Sequence, residues 1–445
     1  MKPLARAAAF AVLAWAAGPA SAWNNHALGT WPALAPMAEL RALPPVAAES
    51  LQSFLAADAH GIAAVLTQEE AWARRNVPTY PPRPDALAFR SEGAAGDLLA
   101  RFVAATRISP RARFALYLQL PPGAARQGRL RLPASAVTTF EHSESSRLDT
   151  FVALLEGEPV PVIDIIASAS DEPDYGLDIG LWNDDATTFG NAYGFGKQPF
   201  GNPAVAFSSQ APMHMGFFHE AKIVYAAAPF LRRTYPEYRV HLWRSLAAEA
   251  FRSGHPYWGW RFAGWALHYV QDLTQPYHAR VLPGAGTLRM MWINALDLAG
   301  MHAAKDRVVA LVTNRHLALE NYQLHWLYQA LLRKNMNDAA LTALRGGAEA
   351  AKPYTDASLR QTISREAYEA ADTIDAALVA ALPPRYTSDP AYTVGVTEPD
   401  LDLYAAMAKA DPSARATLER AMLPLLGHFG AHSRSFIRAV LQTSR

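Results

Sequence analysis

The chain contains no cysteine in 445 residues. Disulfides are thereby excluded, and any metal ligands must come from His, Asp, Glu and the backbone, a donor set that suits zinc in a hydrolytic role. An excess of charge of either sign is also missing, with 41 basic residues against 40 acidic ones. No overall field would collect nucleic acid or anionic membrane. Only 18% of the residues are charged while 51% are hydrophobic, the composition of a folded protein and not of a disordered one. There are no internal repeats and no low-complexity tail. Glycine-rich phosphate cradles, a GxSxG elbow and a nucleotide-binding fingerprint are absent too.

What is there begins at the N-terminus. Lys2 and Arg6 precede the apolar run AAAFAVLAWAA, which Gly18-Pro19 breaks before Ala20-Ser21-Ala22. That is the pattern of a secretory signal, residues 1–22, and it is too short for an ordinary transmembrane helix. An uncleaved anchor or a buried helix is the alternative. Cleavage would release a secreted or periplasmic chain starting at Trp23, and losing two cations would take the formal charge from +1 to −1. No later segment looks long and apolar enough to span a bilayer.

The remaining length can bury one large core or make two domains. Helical spacing runs from Leu51 to Ala104, interrupted by TYPPRPD, and again over 238–252, 258–274, 288–332, 356–381 and 405–443. RFALYLQL (113–120) and 129–132 read as short strands around the turn PPG, or as one irregular excursion. Residues 181–212 are rich in Gly, Asn and Phe and too long for an ordinary connection, which points to a functional loop. The expected class is mainly α: one domain, 23–445, with an elaborated N-terminal part.

The chemistry concentrates in WALHYVQDLTQPYHA, 265–279. His268 and Asp272 are four apart, so on a helix they share a face. Pro276 cannot continue that helix. The chain must turn, and His278 can swing back towards the same place. Imidazole nitrogen and carboxylate oxygen at such range suit zinc. Two further pairs have the same spacing: His302 with Asp306, and His316 with Glu320. Fourteen residues separate them, nearly four full turns, so on a continuous helix they would share a face about 21 Å apart along the axis. Only one pair could reach a common cluster. His428 and His432 are also four apart, with no carboxylate nearby in sequence, and an interfacial or capping role is the simpler reading. His325 reads as a helix-face residue, while His60, His142, His241 and His255 carry no spacing signal. Trp258, Trp260 and Trp265 read as core.

The run of His, three residues, Asp, then Gln-Pro and His resembles the central motif of the zinc-dependent phospholipase C family and of the related fungal single-strand nucleases. The resemblance implies an all-helical bundle holding three zinc ions in one cleft, here with an insertion over about 27–165. It implies that the freed amine and carbonyl of Trp23 bind zinc together with His26 of WNNH. It assigns Asp174 of EPDYG beside zinc, as candidate general base, with Asp171 as a nearby rival. From APMHMGFFHE it selects His214 over His219, because His214 opens the aromatic run. HxxxEN followed by an aromatic favours His316 and Glu320 over His302 and Asp306. The implied ligand sets are Asp174, His214, His268 and Asp272 for one zinc; His278, His316 and Glu320 for a second; and Trp23 and His26 for a third, with Asp272 bridging.

The expected activity is therefore phosphodiester hydrolysis by hydroxide formed at zinc, with Asp174 taking the proton or orienting the water. Glu320 in place of Asp favours a phospholipase C acting on phospholipid headgroup esters, with at most transient membrane-surface contact and no stable nucleic-acid complex. A single-strand nuclease or nucleotidase is the alternative within the superfamily, and the aromatic loop 189–207 could serve either substrate. An exported metal-binding protein without turnover is the alternative outside it.

Overall fold

The computed structural model describes residues 25–92, 97–140, 147–202, 205–346, 352–409 and 412–444. The expected signal sequence, Trp23 and His142 lie outside them. Helices dominate the described residues, as the sequence predicts. Those that frame the site are α1 (His26–Leu34), α2 (Ala59–Asn76), α3 (Val162–Ser170) and α4 (Ala211–His214). They are followed by α5 (Pro236–Arg252), α6 (Pro256–Asp272), α7 (Pro276–Ala279), α8 (Thr287–Leu298), α9 (Ala303–Leu332), α10 (Ser364–Ala381) and α11 (Pro412–Thr443).

α6 is the centre of the molecule: its sequence, PYWGWRFAGWALHYVQD, is aromatic and aliphatic except for Arg261, His268, Gln271 and Asp272, and these four are turned inward. A helix so rich in apolar residues belongs in a core, and every residue from Tyr257 to Asp272 is buried. It packs against α5, α3 and α11. Gly264 sets how closely α3 approaches. A Cβ there would lie 2.5 Å from Ala169 Cβ and 2.9 Å from the Ile166 carbonyl oxygen, so any larger residue would push the helices apart. One turn beyond Gly264, His268 therefore faces the C-terminal end of α3. Trp258, Trp260 and Trp265 are buried. Two apolar clusters result, one built on α2, α5 and α6, the other on α1, α9, α10 and α11.

The N-terminal part carries two small sheets. β1 (Val46–Ala47) pairs antiparallel with β5 (Pro159–Val160), so the chain departs at 46 and returns at 160 to the same place. Between them, β2 (Tyr117–Leu120) and β3 (Arg131–Leu132) fall where the sequence suggests strands, but they do not pair with each other. β4 (Thr150–Ala153) lies between them in the order β2-β4-β3, with Val152 opposite both Leu118 and Arg131. TFVA supplies the β-branched and aromatic residues that favour a central strand. A four-residue segment is too short to show this by periodicity.

The pattern over 288–332 is two helices, not one. Gly300, at φ 81, closes α8, and the Met301 N–H donates to the Leu296 carbonyl at 2.9 Å. Glycine takes that left-handed position without a Cβ clash, which makes it a helix terminator. The pattern over 356–381 opens with a π-turn, Leu359–Ile363, before α10. The last pattern divides into Leu403–Met407 and α11. Among the described residues no helix is long and apolar enough to cross a membrane.

Candidate metal centre

The site lies where α1, α3, α4, α6, α7 and α9 meet. At the end of α6 the chain turns through Thr274, and Gln275 adopts the extended conformation expected of a residue before proline (φ −89°, ψ 126°). Pro276 then starts α7, a single turn that brings His278 back to the end of α6. Its Nδ1 lies 3.5 Å from Asp272 Oδ1.

Eight of the nine residues expected at the site converge: His26, Asp174, His214, His268, Asp272, His278, His316 and Glu320. The side chains fall into three groups whose donor atoms lie within 4.8 Å of one another: His26, Asp174 and His268; His214, His268 and Asp272; and His278, His316 and Glu320. The ninth, Trp23, lies outside the described residues. His219 stands apart, with its Nε2 3.0 Å from Ser364 Oγ. His302 is exposed and pairs with Asp297 at 2.6 Å, not with Asp306. Asp171 does not join the groups, because its carboxylate accepts from the Ala27 N–H at 3.2 Å and the Gln119 amide at 2.8 Å.

Each inward-facing imidazole but His316 has its other nitrogen tied to an identified partner. His268 Nδ1 donates to the Ser170 carbonyl (2.7 Å), and His278 Nδ1 to the His214 carbonyl (3.1 Å). His26 Nδ1 donates to Gln271 Oε1 (2.9 Å), and His214 Nε2 to Asp178 Oδ2 (3.1 Å). That leaves His26 Nε2, His214 Nδ1, His268 Nε2 and His278 Nε2 facing the centre. Such anchoring fixes the tautomer and aims the free lone pair, as metal-ligating histidines require. His316 stacks on Tyr277, with ring centroids 5.6 Å apart.

The distances suit a tetrahedral ion. Ligands about 2.0–2.1 Å from zinc sit roughly 3.3 Å from one another. His214 Nδ1 is 3.0 Å from His268 Nε2, and Asp272 Oδ2 is 2.9 and 3.2 Å from those two nitrogens. Asp174 Oδ1 completes the set at 3.6 and 3.7 Å. In the outer group His278 Nε2 and His316 Nε2 are 3.1 Å apart, with Glu320 Oε1 2.5 Å from the latter. Two unprotonated imidazole nitrogens at such range repel unless a cation or proton lies between them. His268 offers one inward nitrogen, so the two groups that contain it compete for it.

Two buried carboxylate oxygens, Asp174 Oδ2 and Asp272 Oδ1, accept no hydrogen bond. Burial without a partner costs about 1–3 kcal/mol, more for a charged group, unless an ion compensates. Both atoms face His26 Nε2, at 3.8 and 3.5 Å. Asp272 thus presents Oδ2 to one group and Oδ1 to another, the disposition of a bridging ligand.

Burial drives the His268, His278 and His316 imidazoles down to about 3, so they are neutral and able to ligate. For His214 burial works the same way, but Asp272, Asp178 and Asp174 outweigh it and pull the group up to about 10. His26 rises to about 9, with Asp272, Asp174 and Asp171 outweighing burial. Burial lifts the Asp174 carboxyl well above its usual range. Asp272 goes the other way, because His268, His278 and His214 outweigh its burial. A divalent cation would displace the protons from His26, His214 and Asp174, because ligation requires deprotonated donors.

Sequence reasoning missed the residues behind the donors. Asp178 receives His214, Tyr269 Oη (2.6 Å) and the buried Arg239 Nη2 (2.5 Å). Arg239 and these contacts hold its carboxyl down at about 2 although burial opposes this. Gln210 donates to Asp174 Oδ1 (2.8 Å) and Gln275 to Glu320 Oε1 (3.0 Å). The one available signal was that Asp178 follows Asp174 by four residues. His428 and His432, without a carboxylate in sequence, meet Glu366 of α10 in space, at 3.6 and 2.6 Å.

A cavity of about 770 Å³ opens on the outer group. His214, His278, His316 and Glu320 contribute to its lining, and the rest is largely apolar, including Phe207, Met215, Leu231, Met291 and Val312. From the aromatic loop, Phe200 and Phe207 line it, while Phe189 packs on Tyr193. Comparison with protein families, curated proteins and solved structures finds no match.

Proposed function

We propose that the chain is an exported zinc-dependent phosphodiesterase of the phospholipase C type, acting on phospholipid headgroup esters. The observation that carries this reading is the position of the outer donor group in the lining of a large, mostly apolar cavity. A phosphodiester carried on acyl chains matches both parts, since apolar pockets with a few convergent polar groups select such ligands. A nuclease would need a cationic groove with stacking platforms along a strand.

The donor set fits zinc through its imidazole and carboxylate atoms, its anchored histidines and its two unsatisfied oxygens. Asp174, His214, His268 and Asp272 would hold one ion, and His278, His316 and Glu320 a second. His26 and Asp272 would hold a third with Trp23. Zinc so held would polarise phosphoryl oxygens and lower the pKa of water. Gln210 fixes Asp174 by its Oδ1, which leaves Oδ2 to accept the proton of the attacking water. The apolar walls exclude bulk water and hold the acyl portion. Glu320, held by Gln275, lies beside His316 in the cavity lining and orients it.

The test is hydrolysis of phosphatidylcholine, measured as phosphocholine release, against cleavage of single-stranded DNA by the purified, zinc-loaded mature chain. Phosphocholine release that is lost on chelation and restored by zinc supports the reading. DNA cleavage alone would transfer the site to the nuclease alternative, and zinc binding without either activity would leave a metal-binding protein.

A further inference from the structure

The cavity is walled on one side by α8, and this helix is apolar on two faces. Met290, Met291 and Ile293 point into the cavity. On the other side Leu288, Trp292, Ala295 and Ala299 follow one another at helical spacing, and all four are exposed. Leu288 is 85% and Trp292 65% accessible, among the largest exposures of any large apolar side chain described. The short helix Lys222–Ala227 packs beside α8, tied by Asn294 Nδ2 donating to the Ala227 carbonyl at 3.3 Å. It adds exposed Ile223, and Phe230 follows at the cavity rim. A helix with apolar residues on both faces is normally buried on both. Here one face is half-buried and lines the cavity, and the other meets solvent.

We infer that α8 and the segment 222–233 form a docking surface for an anionic lipid aggregate, seated around the cavity mouth. Three observations select that occupant. The stripe lies on the back of the helix that walls the apolar cavity, and exposed Phe230 belongs to the cavity lining, so a fluid lipid surface could cover Leu288 and Trp292 while its molecules pass into the cavity. A second copy of the chain packed there would close the same mouth. The exposed charges on these segments are also of one sign, Lys222, Arg232 and Arg289, with Arg233 half-buried, and the one acid, Asp297, is half-buried and paired with His302 and Lys305. Finally, Trp and Leu beside cations are the composition of helices that lie in a lipid interface. The local cluster works despite a near-neutral chain, because attraction to a charged surface falls off within a Debye length. The inference deepens the lipid reading of the cavity and rests on it for the kind of molecule delivered.

The test is co-sedimentation of the full zinc-loaded chain with phosphatidylcholine vesicles, with and without phosphatidylglycerol. Wild type should bind the anionic vesicles more tightly. L288S/W292S should lose at least about tenfold in vesicle affinity, with unchanged melting temperature, metal content and turnover of a short-chain lecithin below its micelle concentration. R289E keeps the apolar stripe and should lose the anionic preference. Vesicle binding by L288S/W292S equal to wild type overturns the inference. So does a wild-type dimer in solution that these substitutions dissociate. If no ester is hydrolysed yet the variants still lose vesicle binding, the docking surface stands and the hydrolase reading fails.

Discussion

Two parts of α9 carry the same pattern and do opposite things. His302–Asp306 and His316–Glu320 have identical spacing, and the helix that joins them is continuous from Ala303. At the first, His302 is exposed and turns to Asp297 across the α8–α9 turn. At the second, Glu320 is buried and His316 only slightly exposed, both beside His278, with Gln275 holding the carboxylate. Spacing supplies a pair; burial and a third donor from another element supply a site. The same lesson covers α11, where His428 and His432 find a single, half-exposed carboxylate, Glu366.

The contrast can be broken or sharpened by substitution. The largest effect is expected at Asp272, which faces His26, His214, His268 and His278 together. Asp272→Asn should abolish turnover, reduce metal content and destabilise the fold by about 3–5 kcal/mol, the usual cost of breaking a buried charge network, as read by thermal melting. Asp174→Ala should lower kcat by roughly 10²–10⁴ while removing at most one equivalent of zinc. Activity that survives this change would show that Asp174 is not the base. Chelation of the wild type should lower its stability, by about 4 kcal/mol where free zinc stands a thousandfold above its Kd, and calorimetry with and without chelator measures it. Asp178→Asn should weaken zinc affinity about 10–100-fold by releasing His214, measured by competition with a chromogenic chelator. The smallest effect is expected at His302→Ala: zinc content unchanged and stability within about 0.5 kcal/mol. If His302→Ala lowers zinc content as His316→Ala is expected to, the distinction between the two parts of α9 collapses.

Much of the donor set was legible because its signals are local. The i, i+4 pairs and the Gln-Pro turn are short-range features, and α6 announces its burial through its tryptophans. The anchors behind the donors were not legible. Gln271 meets His26 across 245 residues, and the Ser170 carbonyl meets His268 across 98. Nothing in the sequence marks one glutamine or one backbone carbonyl as the partner of a distant imidazole. The strand at 150–153 escaped for a different reason, since a four-residue strand has too few positions to display a period. The choice between His214 and His219 turns on Gly216–Phe218, where the Gly216 N–H donates to the His278 carbonyl. With the His214 carbonyl accepting from His278 Nδ1, this ties the His214 segment to α7, and a single sequence does not show it.

Zinc-edge anomalous diffraction from crystals of the chain starting at Trp23 probes the central claim most directly. Peaks should appear among Asp174, His214, His268 and Asp272 and among His278, His316 and Glu320, with none at His302–Asp306. Crystals grown with zinc that show these side chains joined only by hydrogen bonds, and no peak between them, would contradict it.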